Sequence, residues 1–325
     1  MKVSEFGEFK LIKKILSLIP KDSRVISYFD DAIMVQVDSS IFVMKSDGFV
    51  ASTDLLPGMT AEDIGWKTAI MSLSDMAAKG VKPEGCSIIL GIERERNTDF
   101  ILKIYKGLIR AANQYDFYIW GGDLNEANDL IVGCTMIGWA KDGKIVTRKG
   151  ARPGDIIAVT GCFGYTSVAY KVLLEGYKIK EKHYLNEILR HVYRPIARIR
   201  EGLILKNFAS ASIDSSDGLA LSLNLLSDAS NVKIVIDKIP ITYIVKKFAS
   251  EYNMDVLKLV LYEGGEEYEI IYSIPIHMWN KACNAVREVG GKLYPIGRVE
   301  KGKGVYLKKN EVYERIFPRG YQHFK

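Results

Sequence analysis

Six aspartates stand where apolar segments end or turn, and they limit what this chain can fold into more than any other feature. They are Asp31, Asp47, Asp75, Asp123, Asp214 and Asp217. Moving an ionised carboxylate from water into such surroundings costs several kcal/mol unless it is paired or bound to a cation. Carboxylate and hydroxyl oxygens suit a hard cation, Mg²⁺ first. The pattern therefore predicts a fold that gathers these side chains into a metal site for a polyphosphate such as a nucleotide.

The composition fits a two-domain protein without a nucleic-acid arm. The chain has 325 residues, of which 48% are hydrophobic, enough for two domains of roughly 150 residues each. The net charge is +6, but basic and acidic residues are interspersed, so we predict no nucleic-acid partner. We interpret the positive excess as mild help in binding anionic substrates.

Cysteine spacing and the apolar runs predict a cytoplasmic protein. The four cysteines are far apart in sequence, which indicates neither a zinc site nor a disulfide framework. Lysines interrupt the apolar N-terminal stretch, which is therefore not expected to be a secretory signal. No apolar run approaches the roughly 20 residues of a membrane-spanning helix, so no membrane association is expected.

The polar, turn-rich segment at residues 148–155 is the predicted linker between two domains, 1–147 and 148–325. Thr60 and Gly80 mark the two ends of a helix at residues 60–79. Other expected elements are an amphipathic helix at 6–19 that docks on a sheet, short strands at 40–44 and 117–120, and a hairpin of 130–140 with 143–147. Because helices and strands do not alternate regularly, the expected fold class is α+β with two mixed domains.

Asp75 is the sharpest single candidate for a functional carboxylate. With Ile64, Thr68 and Met71 it falls on one stripe of the helix, which points the carboxylate toward the core. The alternative is a helix-end aspartate that accepts from a backbone amide. A mid-helix carboxylate has no free amide nearby, so the stripe favours function.

The other acidic motifs remain open between function and local structure. Asp214 and Asp217 flank two serines at a strand-to-helix turn, which is also typical of a helix cap. Gly121 and Gly122 before Asp123 allow a ligand to approach the backbone, but plain turn chemistry explains them equally well. Histidines with no common spacing give little support to a histidine-based nucleophile. An acceptor that is already an anion would need no general base.

Motifs along almost the whole chain resemble the thiamine-monophosphate kinase family, whose superfamily includes aminoimidazole ribonucleotide synthetase and selenophosphate synthetase. The matching stretches are Gly7-Glu8-Phe9, Asp30-Asp31-Ala32, Leu73-Ser74-Asp75-Met76, Gly121-Gly122-Asp123, Asp214-Ser215-Ser216-Asp217-Gly218, Gly264-Gly265-Glu266-Glu267 and Gly320-Tyr321-Gln322-His323. The resemblance implies transfer of the γ-phosphoryl group of ATP to thiamine monophosphate, assisted by several Mg²⁺ ions. It also implies a homodimer in which the N-terminal sheets form a barrel at the interface, while helices flank the C-terminal sheet.

The resemblance also implies a role for individual residues. Carried over by position, the metal ligands are Asp31, Ser46, Asp47, Asp75, Asp123, Asp214 and Asp217, of which Asp31, Asp75 and Asp217 are the catalytic set. ATP contacts are Tyr105, Gly121, Gly122, Arg148 and Ser216, and substrate contacts are Asp54, Glu266 and Tyr321. Joining two polyanions requires cations that screen their repulsion, in agreement with this set.

Four places depart from the family pattern, one of them the stretch Leu124-Asn125-Glu126, which follows Asp123 where the family has threonines. Phe29 replaces a glycine before the first aspartate pair, and Asp54 falls where bacterial members have a substrate-contacting histidine. Lys45 replaces the first residue of a Ser-Thr-Asp triplet, so an ammonium group is expected in place of one cation or its ligand. Two alternatives therefore stay open, another ATP-dependent synthetase such as a purine cycloligase, or a non-catalytic nucleotide-binding relative.

Overall fold

The computed structural model describes residues 2–324, and two β-sheets organise them. The strands are β1 (Ile33–Val37), β2 (Ser40–Val50), β3 (Pro83–Ile92), β4 (Tyr118–Glu126), β5 (Ile131–Ala140), β6 (Ile156–Val159), β7 (Ala211–Asp214), β8 (Lys233–Ile236), β9 (Ile270–Ile274), β10 (Tyr294–Glu300), β11 (Gly304–Lys309) and β12 (Val312–Ile316). The helices are α1 (Val3–Phe6), α2 (Glu8–Leu18), α3 (Ala51–Asp54), α4 (Ala61–Lys79), α5 (Thr98–Tyr115), α6 (Tyr165–Leu174), α7 (Lys182–Tyr193), α8 (Ile199–Leu205), α9 (Leu219–Ser230), α10 (Tyr243–Glu251), α11 (Val256–Tyr262) and α12 (Trp279–Glu288). The expected mixed fold with two sheets is confirmed.

The N-terminal sheet has five strands in the order β1-β2-β5-β3-β4. Its neighbours are antiparallel except β3 and β4, which are parallel. Helices α4 and α5 cover one face, and Met34, Val43 and Ile88 of that face are fully buried. The sheet is open, with β1 and β4 at its edges, so the described chain alone does not form the barrel that was expected.

Helix α4 lies between the two halves of the molecule. Thr60 accepts the amide of Asp63 at its start, and Gly80 ends it in a left-handed conformation with φ of 69°. Of its 19 residues, 17 are buried. Gly65 lets α5 cross closely, because a Cβ atom there would lie 1.9 Å from the carbonyl oxygen of Ile104. A helix enclosed on every side in this way holds its side chains in fixed positions.

The C-terminal sheet has seven strands in the order β12-β11-β8-β10-β6-β9-β7. The edge strand β7 ends at Asp214, and its residue Ser212 donates a hydrogen bond to the carbonyl of Ala78 on α4. Trp66 Nε1 of α4 donates to the carbonyl of Pro195 at 2.8 Å. The Ser212 contact fixes the end of β7 beside the C-terminal half of α4, where the acidic motifs meet, and the Trp66 contact ties the N-terminal half of α4 to the segment before α8.

Two expectations were wrong, one because of long-range strand pairing and the other because a helix lacks a buried face. Residues 143–147 are not a strand, because β5 pairs with β2 and β3 instead and Val146 donates to the carbonyl of Lys79. Helix α2 exists but has no buried residue, so it does not dock on a sheet through a buried face. Strands β2 and β4 are also longer than expected and include the acidic motifs around Asp47 and Asp123.

No helix in residues 2–324 combines the length and apolar character that a membrane crossing requires.

Candidate active site

A cleft of about 690 Å³ lies between the two halves, with acidic residues at both ends. Strand β2, helix α4, the turn after β7, the turn before β9 and the C-terminal segment all contribute to its walls. From the N-terminal half it is lined by Lys45, Asp47, Asp54, Met71 and Asp75. From the C-terminal half it is lined by Tyr170, Ser216, Asp217, Glu266 and Tyr321.

Asp31, Asp75 and Asp214 converge at one end of this region. One carboxylate oxygen from each lies within 4.8 Å of the others, and all three side chains are buried. Asp31 precedes β1, Asp75 lies near the end of α4, and Asp214 ends β7, where it accepts a 2.8 Å hydrogen bond from Ser74 Oγ. Three separate elements thus supply one compact set of hard oxygen donors.

Burial and neighbouring negative charges raise the pKa values of two carboxylates in this cluster. Burial, together with the negative charges of Asp214, Asp47 and Asp31, raises the pKa of Asp75 well above its usual value. Burial and the charge of Asp31 raise the pKa of Asp214 to about 7. Both shifts come first from burial and then from neighbouring carboxylates, so each of these two side chains favours its protonated form more than a solvated aspartate does.

Lys45 places an ammonium group inside the cluster. Its Nζ lies 3.0 Å from Asp75 Oδ2 and 3.2 Å from Asp47 Oδ1. Burial by itself would lower the pKa of Lys45, but Asp75 and Asp47 outweigh burial and raise it. Lys45 is therefore a permanent cation in this site.

Asp31 has two further basic partners. Arg148 Nε donates to Asp31 Oδ1 at 2.6 Å, and Lys79 Nζ lies 2.8 Å from Asp31 Oδ2 and 2.6 Å from Asp30 Oδ1. Burial alone would raise the pKa of Asp31, but Arg148 and Lys79 lower it below its usual value. Arg148 is thus held by Asp31 in this state and does not project freely into the cleft.

The donor set fits Mg²⁺. Six carboxylates gather here, those of Asp30, Asp31, Asp47, Asp75, Asp214 and Asp217, against the three basic groups of Lys45, Lys79 and Arg148. All ligand atoms are oxygens, which hard divalent cations prefer. The carboxylates outnumber the basic groups, so a divalent cation would balance charge that the side chains leave over.

Asp217 and Ser216 lie on the turn between β7 and α9 and line the cleft. Burial and the nearby charge of Glu8 raise the pKa of Asp217 to about 6. Gly218 makes this turn possible, since its φ is 107° and a Cβ atom there would lie 2.6 Å from the carbonyl oxygen of Gly264. The turn therefore contacts the 264–268 segment at the other end of the cleft.

Glu266, Tyr321 and Asp54 define the second end of the cleft. Glu266 Oε2 accepts from Lys67 Nζ and from Tyr170 OH, each at 2.6 Å. Tyr321 is half exposed at the rim, and its amide donates to the carbonyl of Asp217 at 3.0 Å. Asp54 caps a local turn by accepting from the amide of Val50 at 2.8 Å.

Several predicted residues lie apart from the cluster. Ser46 lies beside the cleft, but its hydroxyl pairs with Thr135 at 2.8 Å on the opposite face of the sheet from Lys45 and Asp47. Gly121, Gly122 and Asp123 lie along the edge strand β4, outside the walls of the cleft. Tyr105, on α5, also lies outside the cleft walls. The register from Asp47 through Cys134 and Ile88 to Gly122 crosses three strand spacings, roughly 14 Å.

The sequence interpretation missed the two buried lysines of α4. Lys67 and Lys79 are both fully buried, and each pairs with a carboxylate from a distant part of the chain. A lysine inside an otherwise apolar helix is the one available signal, because a buried ammonium group needs a partner. Glu8 and His323 also line the cleft and were missed. Both stand in stretches near the chain ends that match the family, which was the available signal.

Glu267 anchors the turn at this end, and its replacement by glutamine should flatten part of the pH dependence of stability. Its Oε1 accepts from the amides of Gly164 at 2.7 Å and Thr166 at 3.3 Å, while burial raises its pKa to about 7. The folded state then holds this proton more tightly than the unfolded state between about pH 4.5 and 7, so stability falls as pH rises through that window. We expect wild type to lose up to about 3 kcal/mol relative to Glu267→Gln between pH 5 and 7.5.

Urea unfolding of metal-free protein at the two pH values measures this difference. Glu311→Gln, at a side chain that is 93% exposed, is the matched control and should follow wild type. Parallel pH profiles for wild type and Glu267→Gln would contradict the expectation.

The N-terminal part of the chain matches a known domain family, and nearly the whole chain matches individual proteins. Residues 29–140 match the family described as "AIR synthase related protein, N-terminal domain", which covers the N-terminal sheet, α4 and the first aspartates. The chain is 35% identical over 298 residues to the thiamine-monophosphate kinase of Pyrococcus horikoshii, covering 91% of this chain and 90% of that protein. It is 30% identical to the Aquifex aeolicus enzyme of the same name, covering 100% of both chains.

A solved structure shares both the fold and the sequence. The structure described as "AaThiL complexed with AMPPCP and TMP" superposes with a TM-score of 0.88 at 28% identity and covers 99% of each chain. Together with the relatives, this likeness confirms the resemblance stated from the motifs. The chain belongs to the thiamine-monophosphate kinase family.

Proposed function

We propose that this protein transfers the γ-phosphoryl group of ATP to the phosphate of thiamine monophosphate, giving thiamine diphosphate and ADP. The observation that carries the proposal is the end-to-end likeness to a structure whose description names an ATP analogue and TMP. The cleft agrees with these substrates, because a cluster of metal-binding type lies at one end and acidic and aromatic groups at the other.

The chain's own groups would hold the reacting phosphates by charge and position. Asp31, Asp75 and Asp214 would hold Mg²⁺, with Asp47 and Asp217 beside them. When bound, Mg²⁺ screens the repulsion between two polyanions and stabilises charge on the transferred group. Lys45 supplies a fixed positive charge at the same place. Ser46 and Asp123 remain proposed ligands, although a single copy of the chain does not bring them to the cluster.

The nucleotide would extend from the cluster toward β4. Ser216 lies in the cleft wall, and Arg148 would reach phosphate if its contact with Asp31 exchanged for one with the substrate. Gly122 approaches Ile88 so closely that a Cβ atom would lie 1.9 Å from its carbonyl oxygen. We propose that Tyr105, Gly121 and Gly122 contact ATP along this side.

The acceptor end would recognise a cationic aromatic molecule. Glu266 and Asp54 offer negative charge, and Tyr321 offers a ring for stacking. No general base is required, because the acceptor phosphate is already an anion. The residues would therefore act by orienting the two phosphates and excluding water.

We further propose a homodimer formed through the outer face of the N-terminal sheet. This outer face carries the exposed apolar side chains Ile33, Ile89, Tyr118, Trp120 and Ile131, with Tyr118 71% and Trp120 58% exposed. Contiguous apolar surface of this kind marks an interaction site. A second copy on this face would form the expected barrel. We also propose that the two domains meet at residues 147/148. The four free cysteines support a reducing cytoplasm as the protein's location.

The test is incubation with ATP, Mg²⁺ and thiamine monophosphate, with separation of products by chromatography. We expect thiamine diphosphate and ADP in equal amounts, and none from thiamine alone. ADP formation without thiamine diphosphate would point to another ATP-dependent synthetase. No turnover together with Mg²⁺-dependent binding of an ATP analogue would point to a non-catalytic relative.

A further inference from the structure

Lys67 is a fully buried lysine that reaches from one half of the molecule to the other. It lies on α4, and its Nζ is 2.6 Å from Glu266 Oε2, a residue 199 positions later in the sequence. Burying an ammonium group is unfavourable unless it is paired and hydrogen-bonded. Its partner Glu266 lines the cleft, so the ion pair fixes the position of a side chain in the candidate active site.

The turn that carries Glu266 is held in an unusual backbone conformation. Glu266 and Tyr268 have φ angles of +58° and +52°, a region that residues other than glycine rarely adopt. The amide of Glu266 donates to the carbonyl of Ser216 at 2.5 Å, and the amide of Tyr268 donates to the carbonyl of Ser215 at 3.1 Å. The turn is thus tied by its backbone to the Asp214–Asp217 motif and by its side chain to α4.

The anchoring involves only one oxygen of Glu266. Oε2 accepts from both Lys67 Nζ and Tyr170 OH, each at 2.6 Å. Among the described residues, Oε1 has one long contact, 3.5 Å to Tyr268 OH. The side chain remains 26% exposed on the cleft. A carboxylate held by one oxygen presents the other to a ligand in a fixed direction.

Helix α4 sets the distance between this carboxylate and the cluster. Lys67, Met71 and Asp75 follow at spacings of four, so they share one face of the helix. Met71 lines the cleft between them. With a rise of 1.5 Å per residue, the backbone positions of Lys67 and Asp75 are roughly 12 Å apart. One rigid, buried helix thus supports both ends of the site.

We propose that Lys67 is a positioning residue for the phosphate acceptor. With Tyr170 it fixes Glu266 so that Oε1 meets the positively charged or amino-bearing part of the acceptor at a set distance from the carboxylate cluster. This inference rests on the proposed function and adds the groups that orient the acceptor. Because Lys67 is fully buried behind Glu266, its role is to hold that carboxylate in place.

The test compares Lys67→Met, Lys67→Arg and Tyr170→Phe with wild type. For Lys67→Met we expect a roughly tenfold to hundredfold higher KM for thiamine monophosphate, from loss of a charged hydrogen bond. The KM for ATP and the affinity for Mn²⁺ without substrates should change by less than about twofold, because the cluster is untouched. Lys67→Arg should recover much of the loss, and Tyr170→Phe should raise the same KM several-fold.

Lys206→Met is the matched control, since Lys206 is mostly buried and pairs with Asp142 at 2.9 Å away from the cleft. An unchanged KM for thiamine monophosphate in Lys67→Met, or equal losses for ATP and Mn²⁺, would overturn the proposal. If Lys67→Met does not fold, Tyr170→Phe decides, because it removes a single hydroxyl group. If wild type does not turn over thiamine monophosphate, the proposed function fails, and direct titration with that compound still compares the same variants.

Discussion

Replacing Asp75 by asparagine is expected to reduce kcat for thiamine monophosphate by about a hundredfold to a thousandfold. The substitution preserves size but removes one charge from the three carboxylates that converge within 4.8 Å. It also deprives Lys45 of its partner at 3.0 Å. Metal and phosphate would then be held less firmly where charge develops during transfer. Steady-state kinetics at saturating Mg²⁺ measures the loss, and Mn²⁺ titration should show weaker binding.

Asp63→Asn is the matched control for Asp75→Asn. Asp63 is a buried carboxylate on the same helix, but it caps the first turn and pairs with Arg194. We expect it to lower stability while leaving kcat within about threefold of wild type, because stability and catalysis involve different contacts. If Asp75→Asn kept normal turnover and normal Mn²⁺ affinity, the carboxylate cluster would not be the metal site.

Replacing Ile89 by glutamate is expected to convert the proposed dimer into monomers. Ile89 lies on β3 in the outer face of the N-terminal sheet and is 51% exposed, so the isolated chain should tolerate the change. In a symmetric dimer the substitution occurs twice, and each lost apolar contact is worth about 1.5–3 kcal/mol. The dissociation constant should therefore rise by at least about a hundredfold.

Sedimentation at several protein concentrations measures this change. Ile276→Glu makes the same replacement at a side chain that is 64% exposed outside both sheets, and it should leave the assembly unchanged. A monomeric wild type, or a dimer that survives Ile89→Glu, would show that this face is not the interface.

The elements that local signals specify were predictable from sequence. Helix α4 was expected at residues 60–79 and is found at Ala61–Lys79, because a capping box and a C-terminal glycine mark its ends. The gathering of Asp31, Asp75 and Asp214 followed from the cost of burying unpaired carboxylates. Side chains alternate along β2, so Ser46 lies on the opposite face of the sheet from Lys45 and Asp47. Matching the family by position had assigned Ser46 and Asp47 to the same metal site.

Other features depend on partners that are remote in sequence. The turn at Asp142-Gly143 suggested a hairpin, but β5 finds its neighbours in β2 and β3 and leaves residues 143–147 without a strand. Likewise, nothing near Lys67 in the sequence indicates that its partner is Glu266. Such pairings arise from the tertiary structure, which short-range patterns do not encode.

The burial of α4 by both halves bears on how this molecule folds and comes apart. Its side chains and carbonyls contact the N-terminal sheet on one side and β7, α8 and the loop at Pro195 on the other. A chain cut within residues 148–155 would expose the side of α4 that faces β7 and α8, together with the C-terminal surface that covers it. Heating should therefore produce a single cooperative unfolding transition, in which both sheets and the whole catalytic cleft are lost together.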